Sequence, residues 1–337
     1  MIAPLSIPSP DPVWQVWEIP LFGWVIPIHT YALCILLGMV VALIWTSRRL
    51  TKRGGEPGVV LDVALWAIIL GIIGARFYHV FTHPGDFFYE GANPWEVFAI
   101  WNGGNAIFGS LIGGAVGVFI GCKITGLRFW SFADALAPAL LAAQALGRLG
   151  NWFNHELFGL PTDLPWGLEI ESTNPAFPAG LAEGTLFHPT FLYEMIWNII
   201  GIALIVWLER KLNLRWGRAL AVYLIWYGLG RSFLESIRVD PSELFLGIRS
   251  NVWASFAAIA IGIIILIVQS RRHTGLEPSV YVPGREWHAP DPDVDSDDTD
   301  SAADETTDET DVAAEKAEAA ATSTSGTPSQ ERSTPTP

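Results

Sequence analysis

The segment GRLGNWFNHELFG, residues 147–159, places a cation and several hydrogen-bonding side chains directly after a long apolar run. An arginine side chain makes flat, two-pronged hydrogen bonds to phosphate that lysine cannot imitate. In a helix, Arg148, Asn151 and Asn154 would lie on one face because they recur every three residues. We therefore predict a pocket, lined by these three side chains, for a phosphate and its hydroxylated head group. The alternatives are that Arg148 extends to a membrane surface or pairs with Glu156.

A second group of polar side chains lies in YGLGRSFLESIR, residues 227–238. Tyr227, Arg231, Glu235 and Arg238 follow one another at spacings of four, four and three, which places them on one side of a helix. Two interpretations stay open. Arg231 and Glu235 either form an ion pair that fixes helix packing, or they contact a substrate.

Three further motifs are weaker when each is taken alone. In HPTFLYE, residues 188–194, His188 precedes a helix and Glu194 lies one turn inside it; IHTYAL begins the first apolar stretch with His29 and Tyr31. A single histidine or tyrosine at such a boundary is most often an interface anchor. The glycine-rich stretch 103–117 lacks the Lys-Ser/Thr ending of a phosphate-binding loop, so its four-residue glycine spacing favours close helix packing.

The composition is typical of a membrane protein that carries an acidic tail. Half of the residues are apolar and only 16% are charged, against about a quarter in soluble proteins. The net charge of −14 comes mainly from the residues after Arg285, which include fifteen acids and only two bases. That tail has too few large apolar side chains to offset the entropy of ordering, so we predict that it is disordered, with at most a short helix around 313–321. The two cysteines lie in apolar stretches and indicate buried fillers rather than a disulfide.

Seven apolar stretches are long enough to cross a bilayer as helices. They are residues 26–46, 59–80, 106–124, 131–149, 190–208, 219–237 and 252–268. The sequence therefore predicts an all-α polytopic membrane protein with an external segment 1–25, a membrane catalytic domain 26–270, and a cytoplasmic, disordered acidic tail 271–337. No basic start marks a cleavable signal peptide.

The distribution of basic residues predicts the orientation. Twelve lysines and arginines follow the first, third, fifth and seventh stretches, and the positive-inside rule makes that side cytoplasmic and the N-terminus external. Five other basic residues are all arginines near the outer ends of the stretches: Arg76, Arg148, Arg231, Arg238 and Arg249. This set favours an anion held in the outward half of the membrane domain.

Together these motifs resemble the prolipoprotein diacylglyceryl transferases of the bacterial inner membrane. The resemblance covers about residues 15–270 and rests on GRLGNWFNHELFG, HPTFLYE, YGLGRSFLESIR, GARFYHV and IHTYAL, in that family's order. It implies a seven-span enzyme with its N-terminus outside and its active site towards the outer leaflet, without metal or cofactor. It also implies two substrates, phosphatidylglycerol and the lipobox cysteine that follows a prolipoprotein signal peptide. The products are a thioether-linked diacylglyceryl group and glycerol 1-phosphate; nucleic acid is not an expected partner.

The resemblance also assigns roles to individual residues. Arg148 is the expected head-group ligand, and Arg231 corresponds to a second arginine that the family requires. On this basis we predict two sets of site residues. The catalytic set is Arg231, Glu156, Tyr31 and Glu235; the substrate-binding set is Arg148, Asn151, Asn154, Gly159, His188 and Arg76.

One position departs from the family pattern. Where the family has a histidine followed by Gly-Gly-Leu, this sequence reads FGSL from Phe108. A phenyl ring cannot accept a proton, so the thiol proton goes to another group, or no base is needed because a thiol is already partly ionised at neutral pH. Glu156, Tyr31 and His29 are the candidate acceptors.

Two functions from other classes compete with the transferase. A transporter or scramblase for an anionic lipid or metabolite would also use arginines within the membrane, but the internal repeats common in transporters are not visible in this sequence. A structural scaffold would give no reason to gather five arginines at one end.

Overall fold

A computed structural model describes residues 6–240 and 244–289; residues 290–337, which hold most of the acidic tail and the predicted short helix at 313–321, lie outside these ranges. The described residues fold mainly into seven α-helices, which lie in a unit that ends at Trp287. They are α1 Thr30–Thr51, α2 Val59–Thr82, α3 Ile107–Thr125, α4 Phe129–Phe153, α5 Thr190–Leu212, α6 Arg218–Glu235 and α7 Ser250–Arg272. Three short antiparallel hairpins accompany them: β1 Val16–Leu21 with β2 Trp24–His29, β3 Leu168–Glu169 with β4 Leu186–Phe187, and β5 Leu244–Phe245 with β6 Ile248–Arg249.

Each predicted apolar stretch forms a helix, but the first one starts later than predicted. Residues 26–29 belong to strand β2, which pairs with β1, so α1 begins at Thr30. The apolar content of residues 24–29 hid the hairpin, because a short apolar run reads equally well as strand or helix. The two tryptophans of the hairpin, Trp17 and Trp24, are 44% and 78% exposed, and tryptophan is enriched where membrane helices meet water.

Within the described residues, six of the seven helices are long and apolar enough to cross a membrane. The chain is thus a multi-pass membrane protein. Helix α6 is the exception, since its eighteen residues include Arg218, Arg231 and Glu235. Arg231 and Glu235 belong to the polar cluster described below. The lower apolar content of α6 therefore comes from residues of that cluster.

Helix α4 occupies the centre of the bundle and packs against α1, α5 and α6. Its sequence ADALAPALLAAQAL is rich in small side chains, which let neighbouring helix backbones approach closely. Asp134 of α4 is fully buried and accepts hydrogen bonds from the backbone N–H groups of Gly217, Ala219 and Leu220 at 2.8–3.1 Å. A carboxylate from α4 therefore caps the start of α6, where Gly217 has no side chain to do so.

The glycines of α3 lie against α2, as their spacing predicts. A Cβ atom added to Gly109, Gly113 or Gly117 would overlap a backbone carbonyl of α2. This close approach holds α2 and α3 together as a pair. The glycine-rich stretch is therefore a packing surface.

At the end of the bundle where α1 and α5 finish, one carboxylate gathers three arginines. Glu209 forms ion pairs with Arg49 at 2.7 Å, with Arg215 at 2.9 Å, and with Arg53. These basic residues were predicted only as loop charges; instead they link α1 to α5 and to the α5–α6 connection.

Residues 271–287, the first part of the predicted tail 271–337, belong to the helical unit. Helix α7 continues to Arg272, and the following segment packs on the connection between α3 and α4. Val280 and Tyr281 are buried, and the backbone N–H of Arg128 donates to Val280 O at 2.8 Å. Val280 and Tyr281 supply large apolar side chains for burial, and such side chains are rare in the acidic sequence after them.

A pair of adjacent glycines tests the packing of α2 on α3. Gly113→Ala should lower the free energy of unfolding by about 1–3 kcal/mol, because the new methyl group must push α2 away. Gly114→Ala is the matched control: its Cβ would lie 3.7 Å from Ala67 O, an ordinary contact. Thermal unfolding of both variants in detergent measures the difference, and equal melting temperatures would refute the close approach.

Candidate functional site

The predicted site residues gather at one end of the helical unit, where α4 and α6 finish and α1, α5 and α7 begin. Small strands complete this end. Ile7 bridges to Leu168 of β3, β4 bridges to Pro161, and Gly159 bridges to Arg238 just after α6. The backbone at the end of α4 is thereby joined to the N-terminal segment on one side and to the end of α6 on the other.

Glu194, the fifth residue of α5, joins the two principal arginines. Its Oε2 lies 2.5 Å from Arg148 Nε on α4, and its Oε1 lies 3.5 Å from Arg231 Nη1 on α6. The residue is only 9% exposed. Arg148 thus pairs with Glu194, and not with Glu156 as one prediction proposed.

Arg148 is also the start of a hydrogen-bonded chain through the predicted pocket. Its Nη1 donates to Asn151 Oδ1 at 3.0 Å, and Asn151 Nδ2 donates to Glu156 Oε1 at 2.8 Å. Asn154 Nδ2 reaches the same carboxylate oxygen at 3.4 Å. The predicted common face for Arg148, Asn151 and Asn154 is confirmed, although Asn154 follows the last residue of α4. A left-handed backbone at His155 (φ 51°) turns the chain so that Glu156 faces back to Asn151.

Glu235 is the second buried carboxylate of the cluster. It is completely buried and lies 2.9 Å from Arg231 Nη2 and 3.4 Å from Arg249 Nε, and it accepts a hydrogen bond of 3.0 Å from Asn251 Nδ2. The predicted Arg231–Glu235 pair is therefore present, and it extends to the start of α7. Arg238 lies at the edge of the group, 4.0 Å from Glu235 and 2.6 Å from Asp240.

The arginines of the cluster are paired with acids, and the Arg231–Glu235 pair that the sequence left open is one of these pairs. Burying a guanidinium group without a partner is too costly, and every arginine here has an acid beside it. Some donor capacity remains free. Arg231 Nη1 makes no hydrogen bond, and Arg148 Nη2 makes none to the described residues. Each of the two arginines thus keeps an N–H group for a further acceptor.

Tyr31 lies in the first turn of α1, against the last turns of α4. A Cβ added to Gly150 would be 2.8 Å from Tyr31 Cδ2, so this glycine makes room for the ring. The phenol is within electrostatic range of Glu156 and Arg148. His29, the other predicted proton acceptor on this segment, is exposed at the end of β2.

Gly159 and His188 meet through their backbones. Gly159 N–H donates to His188 O at 2.9 Å, and Leu160 N–H donates to Ile237 O at 2.8 Å. The imidazole of His188 contacts Tyr193 Oη at 3.2 Å. These contacts give both residues a part in holding the ends of α4, α5 and α6 together; their predicted contact with substrate stays a prediction.

Arg76 contacts none of the other predicted site residues within the described part of the chain. Its guanidinium group donates to four backbone carbonyls of the α2–α3 connection, those of Glu96, Val97, Gly103 and Gly104, at 2.5–3.1 Å. The structure thus gives it the role of ordering this connection, and substrate binding by Arg76 stays a prediction. Phe108, at the start of α3, packs near the ring of Tyr78 at 6.3 Å between centroids.

Comparison with known proteins identifies the family. The family model described as "Prolipoprotein diacylglyceryl transferase" matches residues 20–268, which include every predicted site residue. The chain belongs to this family. The resemblance to the prolipoprotein diacylglyceryl transferases that the sequence motifs predicted is therefore confirmed.

Individual relatives agree over most of the chain. A protein of Leifsonia xyli subsp. xyli, named phosphatidylglycerol–prolipoprotein diacylglyceryl transferase, is 70% identical over 86% of this chain and 89% of its own length. Relatives with that name from Streptomyces coelicolor and Bifidobacterium adolescentis are 45% and 47% identical, over 75% and 72% of this chain and 79% and 75% of their own lengths.

Sequence reasoning left Glu194 out of the predicted site, although it noted the residue one turn inside α5. The available signal was the cost of burying a charge, because a glutamate in an apolar helix requires a cation beside it. Asn251 and the pairing of Arg249 with Glu235 carried no such signal, because their spacing in sequence says nothing about a contact between α6 and α7.

Gly159→Ala tests whether this end of the fold depends on the close approach of three chain segments. The new Cβ would lie 2.7 Å from His188 Cβ and 2.9 Å from Ile237 O, so we expect a loss of about 1–3 kcal/mol in the free energy of unfolding. Gly147→Ala is the control, because no atom lies within 4 Å of its added Cβ. Equal thermal stability of the two variants would contradict this interpretation.

Proposed function

We propose that this chain transfers the diacylglyceryl group of phosphatidylglycerol to the lipobox cysteine of prolipoproteins, the first step of lipoprotein maturation. Membership of the family and the names of its relatives support this function. The observation that carries it is the arrangement of Arg148 and Arg231. They reach from α4 and α6 towards one carboxylate, and each keeps an N–H group free.

In the reaction, the cysteine sulfur attacks the carbon of the diacylglyceryl unit that is bonded to a phosphate oxygen. The new C–S bond forms as the C–O bond breaks, and the bonding electrons leave with the phosphate oxygen of glycerol 1-phosphate. A phosphate diester with one negative charge thereby becomes a monoester that gains a second. Donors fixed where this charge develops stabilise the transition state more than the substrate. Arg148 and Arg231 supply those donors.

The other site residues orient this pair. Asn151 accepts from Arg148 and donates to Glu156, so it fixes both side chains at once. Glu235 holds Arg231 from the side opposite Glu194. We assign Asn151 and Asn154 to the glycerol head group, whose hydroxyl groups match amide hydrogen-bonding.

The thiol proton goes to Glu156 in this proposal, because the phenol of Tyr31 keeps its own proton at neutral pH. Both asparagine amides use Oε1 of Glu156, which leaves Oε2 as an acceptor. A thiol with a pKa of about 8.5 is a few per cent ionised at neutral pH, and guanidinium groups nearby favour the thiolate. Phe108 takes no part in proton transfer.

We also propose seven membrane crossings, an external N-terminus and a cytoplasmic C-terminus in the bacterial cytoplasmic membrane. Helix α6 is about 27 Å long by its residue count, close to the thickness of the hydrocarbon core. Its charges lie near its two ends, Arg218 at one and Arg231 and Glu235 at the other. The loop arginines around Glu209 then face the cytoplasm, and Arg148 faces the outer leaflet.

A transfer assay tests the function directly. Purified protein, phosphatidylglycerol and a lipobox peptide should yield a peptide whose mass increases by one diacylglyceryl group. Movement of lipid without that product would favour the alternative, a transporter or scramblase for an anionic lipid.

Arg148→Lys and Arg231→Lys should each lower kcat/KM in this assay by about a hundredfold or more, since lysine keeps the charge but loses the planar donors. Arg271→Lys is the matched control, because this arginine is exposed at the end of α7. Phe108→His should change the rate by less than about threefold, far below the contribution of a general base. Near-normal transfer by the Arg148 and Arg231 variants would refute the assigned roles.

A further inference from the structure

Glu194 occupies the place that a bound anion would take. Its two carboxylate oxygens face two guanidinium groups that come from different helices, at 2.5 Å and 3.5 Å. Carboxylate and phosphate offer arginine the same kind of paired oxygen acceptors. The proposed reaction needs the phosphate at these same two arginines, so an acid of the protein and the phosphate of the substrate compete for them.

We propose that Glu194 is a resident anion of the site: it neutralises the Arg148–Arg231 pair when the site is empty and weakens the hold of the pair on phosphate, so that glycerol 1-phosphate leaves. This inference rests on the proposed function for the identity of the phosphate. Glu194 is a positioning residue here, because it acts through the two arginines.

The two contacts of Glu194 differ in length, and the difference indicates which contact a phosphate would replace. Arg148 Nε is held at 2.5 Å, whereas Arg231 Nη1 lies 3.5 Å away and makes no hydrogen bond. A phosphate oxygen can therefore take Arg231 Nη1 without breaking a hydrogen bond. Arg148 has its Nη2 free for a second phosphate oxygen while Nε stays on Glu194. The phosphate thus binds beside the Glu194 carboxylate and separates this carboxylate from Arg231.

The charges also predict a direction. A carboxylate a few ångströms from a phosphate in a partly buried site repels it strongly, because the surroundings screen the charges far less than water does. This repulsion grows when the phosphate gains its second charge on becoming the monoester product. Glu194 therefore costs binding energy and speeds release. A glutamate that only held the arginines in place would have the opposite effect, since its loss would weaken anion binding.

The test measures anion affinity separately from transfer. Protein in nanodiscs of zwitterionic lipid is titrated with glycerol 1-phosphate by calorimetry. Glu194→Gln keeps the size and a hydrogen-bond acceptor but removes the charge, and it should lower the Kd about tenfold or more. Glu194→Asp keeps the charge, and Glu18→Gln, on the exposed strand β1, is the matched control. Glu194→Asp should bind glycerol 1-phosphate more weakly than Glu194→Gln does, and Glu18→Gln should stay within about threefold of the parent protein.

In the transfer assay, Glu194→Gln should lower KM for phosphatidylglycerol and also lower kcat, because the product leaves more slowly. An unchanged or weaker affinity of Glu194→Gln for glycerol 1-phosphate would overturn the inference. If Glu194→Gln binds glycerol 1-phosphate more tightly but the parent protein shows no transfer, the proposed function is refuted and the role of Glu194 as a resident anion is retained.

A measurement on the parent protein covers the case in which Glu194→Gln does not fold. Infrared difference spectra with ¹³C-labelled glutamate should show a shifted carboxylate band when glycerol 1-phosphate is added, because Glu194 parts from Arg231. Spectra without any change in a carboxylate band would overturn the inference.

Discussion

The ion pairs between Arg148, Glu194, Arg231 and Glu235 are the interaction on which the rest of this structure depends. A charge at membrane depth persists only when a partner of opposite sign is fixed beside it, and here each partner comes from another helix or another turn. The chain of pairs runs from α4 through α5 to α6, and Arg249 extends it to α7. The charges that would bind a phosphate are thus also the charges that hold four helices in register.

The remaining contacts serve to keep these helix ends at fixed distances. At the opposite end, Glu209 ties α1 to α5, and Asp134 of α4 caps the start of α6. At the site, Gly159 allows three segments to meet through backbone hydrogen bonds. In the proposed function, a flexible site would bind phosphate less well, because each arginine must keep its own partner and still present one N–H group.

Much of this arrangement could be predicted from sequence, because membrane helices are limited by length and composition. The seven helices, the shared face of Arg148 and Asn151, and the packing role of Gly113 all follow from spacing along one chain segment. Contacts between segments do not. The bridge by Glu194 depends on how α5 lies between α4 and α6, and the strand that delays the start of α1 depends on its pairing with β1. The ordered segment at Tyr281 was missed because the acidic sequence after it dominates the local composition.

An experimental structure of the protein in nanodiscs containing phosphatidylglycerol tests the central claim most directly. The account predicts the lipid phosphate within hydrogen-bonding distance of Arg148 Nη2 and Arg231 Nη1, with its acyl chains leaving between helices towards the hydrocarbon core. A phosphate bound elsewhere, for example beside Arg76, with the Arg148–Glu194–Arg231 bridge closed and unoccupied, would contradict it.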